Sequence, residues 1–387
     1  MRPVVNCTAS LQGCLMNTLF DTTKINAMEL RNRFVRSATW EGMCDEDGRP
    51  GSRLAGCYQD LARGGVGLII TGYAYVLRDG KQTRGSLGAH RDDFEKEMKM
   101  LSAAVHREGG KLCMQLVHTG GQARVASDGK LIAPSAVAAE EYSGMPVEMT
   151  QQDIENVVRS FAASAKRAKA WGFDAVQIHA AHGYLISQFL SPRTNLRADE
   201  YGGSIENRAR FLLAVYRRVR TEVGKTFPVL LKLNGSDHAE KGLTPDDAVL
   251  VAAALDRAGI DAIEVSSGTP ASGDLLPARK TIDTREKEAY NLELAVQIKR
   301  AVACPVMVVG GFRSFDIAER ALQSAGADYI SLARPFIREP DLVKRWQGGD
   351  VSRARCISCN GCYRPGMREG GIACIVERAE QKRKSGA

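Results

Sequence analysis

The chain has 387 residues, of which 44% are hydrophobic and 25% charged, with a formal net charge of +8, enough to bury a core of one large domain or two ordinary ones. No uninterrupted apolar run is long enough to span a bilayer, and residues 1–20 lack the basic start, apolar stretch and small-residue cleavage site of a secretory signal, which places the expected site of action in the cytoplasm. The positive charge is spread among acidic residues with no basic run interleaved with aromatics, which argues against nucleic-acid binding and mildly favours anionic ligands such as phosphates.

In chain order, short apolar β-type runs fall at 34–39, 66–71, 111–116, 175–179, 229–232, 262–265, 306–309 and 329–332. Amphipathic helical patterns lie between them, for example at 153–171, 205–223, 246–258, 292–301 and 315–324. Thr244 before Pro245, and Ser314 before its apolar run, are start signals. Continuous apolar strands imply burial on both faces, as parallel sheets require. Eight such βα units predict the α/β class and a closed (β/α)8 TIM barrel. An open doubly wound sheet is the weaker alternative, because no G-x-G-x-x-G follows the first strand. The only compositional break follows Trp346. The expected division is therefore a disordered extension at 1–18, a barrel at 19–347 and a cysteine-containing tail at 348–387.

In such a barrel, reactive groups belong at the C-terminal ends of the strands. The fourth strand ends in His179-Ala-Ala-His182-Gly-Tyr184. Either imidazole could donate to a carbonyl or an anionic ring edge, and the tyrosine could act as an acid. A packed histidine pair and a metal pair are the other readings; metal would call for carboxylates or further histidines at other strand ends, where only His238 is found. The seventh and eighth strands end in Gly310-Gly311 and Ala333-Arg334-Pro335. Backbone N–H groups and a guanidinium at those two positions suit a phosphate. Gln115 and Lys232 end the third and fifth strands; the first offers the donor and acceptor pattern of a pyrimidine-like edge, the second a positive charge. Of ten cysteines, Cys356, Cys359, Cys362 and Cys374 are clustered, which in a chain without a secretion signal suggests ligation of a metal or cluster more than disulfides.

From about Leu19 to Trp346 the chain resembles the old yellow enzyme family of FMN-binding barrels. The most specific stretches are the run from His179 to Pro192, Asn195-Leu-Arg, and the run from Asp199 to Phe211; Asn32-Arg-Phe, the run from Gly65 to Thr71, Gln115, Gly310-Gly311 and Ala333-Arg334-Pro335 fall in the expected order. The resemblance implies that Ala38 and Thr39 lie along the flavin, Gly72 and Gln115 at its pyrimidine ring and Lys232 near N1 and the C2 carbonyl. It implies that Gly310, Gly311, Ala333 and Arg334 hold the phosphate, that His179 and His182 bind the activating carbonyl of a substrate, and that Tyr184 donates a proton. The implied reaction passes hydride from NAD(P)H through FMN to an α,β-unsaturated carbonyl or similar electron-poor acceptor, with no membrane partner and a homo-oligomer admitted. Lys232 stands where much of the family has Arg, so a bidentate hold on the flavin edge is lost. Trp40 replaces a smaller residue and is expected to narrow the acceptor site. The tail resembles that of 2,4-dienoyl-CoA reductases and trimethylamine dehydrogenases, where four cysteines hold a [4Fe–4S] cluster. Here two residues instead of three separate the second and third cysteines; zinc and unligated thiols stay open beside the cluster. A cluster-fed reductase and, from another class, a metal-dependent barrel hydrolase or lyase are the alternatives.

Overall fold

The computed structural model describes residues 17–124, 131–138, 144–323 and 326–385. The expected extension at 1–18 lies outside the described residues except for its last two, where the Thr18 N–H and hydroxyl donate to the Asp21 carboxylate. Among the described residues no helix is long and apolar enough to cross a membrane.

Eight parallel strands close into a barrel: β1 (Phe34–Arg36), β2 (Leu68–Ile70), β3 (Lys111–Val117), β4 (Ala175–Ala180), β5 (Val229–Asn234), β6 (Ala262–Ser266), β7 (Val306–Val309) and β8 (Tyr329–Leu332). Each pairs with the next, and β8 returns to β1 through Ile330 opposite Phe34, so the ring has no free edge. The surrounding helices are α1 (Ser52–Arg63), α2 (Glu95–His106), α3 (Gln151–Ala170), α4 (Arg210–Val223), α5 (Pro245–Ala258), α6 (Leu292–Ala301), α7 (Phe315–Gln323), α8 (Arg334–Arg338) and α9 (Leu342–Gln347). The tail adds α10 (Tyr363–Glu369) and α11 (Ile375–Lys384).

All eight strands expected from the sequence form. β1 stops three residues early because the buried Arg36 guanidinium donates to Ile70 O (2.7 Å) and to Thr39 O (3.1 Å) and pairs with Glu41 (2.7 Å), drawing the chain off the sheet. α5 begins where Thr244 predicts, with a reciprocal capping box to Asp247. α3 begins two residues before its expected start because Thr150 and Asp153 form another. α7 begins directly after Ser314, whose carbonyl accepts from the Ala318 N–H (3.2 Å) and whose hydroxyl donates to Glu288 (2.9 Å).

The strand period of two sorts the inward side chains into layers. Nearest the N-terminal end lie Val35, Leu68, Ile70, Cys113, Ala175, Leu230, Ala262, Met307 and Tyr329, joined by Ile25, Met28 and Leu30 from the hairpin formed by Thr23–Ile25 and Met28–Leu30. This apolar plug is the floor of the barrel. Two residues further along the same strands the inward positions are Ser37, Gln115, Gln177, Lys232, Glu264 and Ser331, every one buried. Two further still come His179, Asn234 and Ser266. The outward positions, such as Val176, Ile178, Leu231 and Val265, pack under the helices.

Candidate active site

The polar layers open into a cleft of about 370 Å³ at the C-terminal end of the barrel. Of the residues singled out from the sequence, Ala38, Thr39, Gln115, His179, His182, Tyr184, Lys232, Gly311, Ala333 and Arg334 line it, as does Trp40. Gly72 and Gly310 are not among the lining residues. The Gly72 N–H donates to Glu41 (3.0 Å), and Gly310 accepts from the Tyr290 N–H (3.1 Å).

The cleft floor is one hydrogen-bonded chain across four strands. Gln115 on β3 donates to Gln177 on β4 (2.7 Å), and Gln177 donates to Glu264 on β6 (2.9 Å). Lys232 on β5 donates to the same Glu264 oxygen (2.9 Å) and to the Ser37 hydroxyl beyond β1 (2.8 Å). Burial alone would raise the Glu264 carboxyl; the Lys232 charge and the hydrogen bonds overcome it and hold the group below its ordinary range. Glu264 and Gln177 had no assigned role in the sequence. Their signal was a polar residue at an inward position of a parallel strand otherwise apolar on both faces, where an unpaired charge is too costly to persist.

Above this floor sit the two imidazoles, 5.0 Å apart between ring centres, with the Tyr184 ring 4.9 Å from His179. His179 Nδ1 accepts from the Ala181 N–H (3.2 Å), so in the neutral ring the proton lies on Nε2. Burial lowers both histidines well below their ordinary value; His182 and Lys232 add to this for His179, and Lys232 for His182. Both are therefore neutral donors near pH 7. His182 holds a left-handed backbone (φ 62°), with its N–H bound to Asn234 (3.2 Å) and its Nε2 2.8 Å from the Ser266 hydroxyl. Gly183 follows with φ 73°, and a Cβ there would lie 2.6 Å from Gln122 Nε2, the atom that ties the turn to β3's loop through Gly183 O. The Tyr184 hydroxyl donates to Gln82 (2.9 Å).

On the β7–β8 side, Gly311 adopts φ 73° against the Tyr290 ring, which a Cβ would approach to 2.9 Å. The buried Arg334 donates to Arg279 O (2.7 Å) and to Asn360 Oδ1 (2.6 Å). The Ser331 hydroxyl, on the cleft wall of β8, is buried without a partner among the described residues. That orphaned group, the Lys232 and Gln115 heads, and the guanidinium beside a glycine turn make a donor set that fits a flavin ring and its phosphate.

In the tail the four clustered thiols lie within electrostatic reach of one another: Cys374 acts on Cys356, and Cys356 and Cys359 act on Cys362. Cys356, Cys359, Cys362 and Cys374 are free thiols, and among the described residues no three Cys, His, Asp or Glu side chains are gathered to hold a metal ion. Cys359 faces solvent while Cys362 turns inward at the start of α10. Asn360 between them is tied by Arg334 and by its own bond to Ala278 O (2.7 Å), and Ser358 and Asn360 both take left-handed backbones.

Residues 18–351 match the NADH:flavin oxidoreductase / NADH oxidase family. The chain is 36% identical over 349 residues to an NADH oxidase of Thermoanaerobacter brockii, an alignment spanning 89% of this chain and 53% of that protein. It is 38% identical over 323 residues to an NADPH dehydrogenase of Geobacillus sp. (strain WCH70), spanning 83% of this chain and 91% of the relative. A solved 2-naphthoyl-CoA reductase in complex with 2-naphthoyl-CoA is similar with a TM-score of 0.85 and 28% identity, spanning 92% of this chain and 56% of that one. The chain thus spans about half the length of the first and last of these. On a family match that covers the whole barrel, the chain belongs to the NADH:flavin oxidoreductase / NADH oxidase family.

Proposed function

We propose that this protein is an FMN-dependent oxidoreductase that passes hydride from NAD(P)H through flavin to an α,β-unsaturated carbonyl or similar electron-poor acceptor. The observation that carries this is the pair of neutral imidazoles with Tyr184, set above a buried layer that presents Lys232 and Gln115. FMN, when bound, supplies the hydride chemistry and is regenerated by NAD(P)H.

The chain's own residues do the rest. Lys232 and Gln115 would hold the pyrimidine edge, and Gly311, Ala333 and Arg334 the phosphate. Lys232 is kept in place by Glu264 and Ser37, so its charge is oriented before any ligand arrives. The His179 Nε2–H would donate to the acceptor's carbonyl oxygen, where negative charge grows in the transition state. His182, held by Asn234 and Ser266, would share that oxygen. Tyr184 would supply a proton to the α-carbon, its hydroxyl steered by Gln82. The ring contacts between His179, His182 and Tyr184 fix these groups relative to one another, which is the positioning that catalysis requires.

The test is an anaerobic absorbance spectrum of fresh protein, before and after NADPH, with iron, sulfide and zinc quantified alongside. Flavin bands that bleach on NADPH and return on adding an enone are the expected result. Colourless protein that cannot be reconstituted with FMN would overturn the proposal, and stoichiometric zinc would favour a hydrolase or lyase. Iron with sulfide would favour a cluster-fed reductase.

A further inference from the structure

The family match ends at residue 351, yet Ser358, Tyr363 and Met367 from the tail line the cleft. The tail is anchored for that position. Arg334 and Ala278 O hold Asn360, the Ile372 N–H donates to Glu41 O (2.8 Å), and the nearly buried Arg338 guanidinium makes two bonds to Glu380 in α11 (2.7 and 2.8 Å). The Trp40 ring packs on Gly366, where a Cβ would come within 2.8 Å of it. Trp40 Nε1 donates to Arg84 O (3.2 Å), so the ring is held from both sides.

A wider groove of about 480 Å³ adjoins the cleft and shares Trp40, Gln82, Thr83 and Met367 with it. Trp40 and Met367 therefore stand where the cleft opens outward. Met367 is 67% exposed, an apolar and flexible side chain at a passage. Tyr363 lies deeper, and its phenol has no hydrogen-bond partner among the described residues. A phenol in that position offers one donor and one acceptor to a molecule in the cleft.

We propose that the tail from Ser358 to Met367 is a wall of the acceptor site, in which Tyr363 hydrogen-bonds the acceptor and Met367 limits its bulk together with Trp40. This rests on the flavoenzyme reading of the cleft. It makes the segment beyond the family match the part of the chain that selects acceptors.

The FMN-loaded protein is assayed with NADPH against cyclohex-2-enone and a 4-phenyl-substituted cyclohex-2-enone. Flavin absorbance titrations with the two corresponding saturated ketones report binding without turnover. Met367→Ala is expected to raise kcat/KM for the bulky enone relative to the small one by about tenfold or more, the scale on which apolar pockets discriminate size, and to tighten the bulky ketone in parallel. Tyr363→Phe is expected to raise KM for both enones by about 2–10-fold, the worth of one neutral hydrogen bond, with kcat little changed. An unchanged ratio and unchanged ketone binding in Met367→Ala, with bound flavin intact, would overturn the wall. A Tyr363→Phe protein that loses kcat and thermal stability together, with KM unmoved, would reduce that residue to a structural role and overturn its part. If the flavin is bound and reduced but no enone is turned over, the enone reading falls while the ketone titrations still decide the wall; if FMN does not bind, both fall.

Discussion

The two ends of the barrel are built from the same eight strands and the same alternation of side chains, and they could hardly differ more. At the floor, inward positions are apolar and a hairpin seals them with Ile25, Met28 and Leu30. At the mouth, two residues along six of the strands, the inward positions become Ser37, Gln115, Gln177, Lys232, Glu264 and Ser331. The floor needs only volume and burial, which many residue sets supply. The mouth places charges in a dry interior, where each must have a partner and where the partners orient the cleft. The contrast teaches that one step of two residues along the strands separates stability from chemistry.

The comparison breaks most visibly at the buried ion pair. Lys232→Met leaves Glu264 buried with no cation beside it, only the Gln177 amide and the Ser37 hydroxyl, and is expected to cost about 3–5 kcal/mol in urea unfolding, with loss of retained FMN. The double variant Lys232→Met with Glu264→Leu should recover much of that stability without recovering flavin, because the pair serves the ligand more than the fold. Full recovery of both would show that Lys232 does not touch the flavin.

His179→Ala is expected to lower kcat/KM for an enone by about 10²–10³-fold, the worth of one preorganised donor to a growing oxyanion, with little change in unfolding. A loss shared equally by flavin binding and stability would instead make His179 a packing residue. At the floor the opposite pattern should hold. Ile25→Val is expected to cost about 0.5–1.5 kcal/mol of stability and to leave flavin binding and turnover as they were.

The smallest expected effect is a flat one. With His179 and His182 lowered well below their ordinary value, kcat/KM should stay level from about pH 6 to 8, where an ordinary histidine titrates. Stability should respond instead. His90 is pushed down from 6.5 to about 4 by burial and by Arg91. A histidine held neutral in the fold binds fewer protons than in the unfolded chain below pH 6.5, so stability is full above that value and falls as the pH drops toward 4. Urea midpoints across that range measure it, and a midpoint independent of pH would contradict the burial of these rings.

Much of this was written in local pattern. Strands buried on both faces must be continuously apolar, so 306–309 and 329–332 could be read from composition alone, and Thr244-Pro245 marked α5 through groups that cap their own backbone. Strand ends then pointed to His179, His182, Tyr184, Gln115, Lys232 and Arg334. What local pattern could not carry is any partner distant in sequence. The bond from Lys232 to Glu264 spans 32 residues and needs β5 paired with β6, and the one from Lys232 to Ser37 spans 195 and needs the barrel closed. The same holds for Arg36, whose bond to Ile70 O reaches across 34 residues, and for Gly72, whose N–H donates to Glu41 across 31. The tail was the hardest to read. Cysteine spacing suggests a ligand set, and tertiary bonds from Arg334 and to Ala278 hold Asn360 in a segment that brings Tyr363 and Met367 to the cleft. The sequence by itself determined the strand periodicity, the polarity of each position and the capped start of α5, since these depend on neighbours within a turn or a strand. Which polar groups meet, and which segment walls the site, was decided by tertiary structure, because those contacts exist only after the ring is closed.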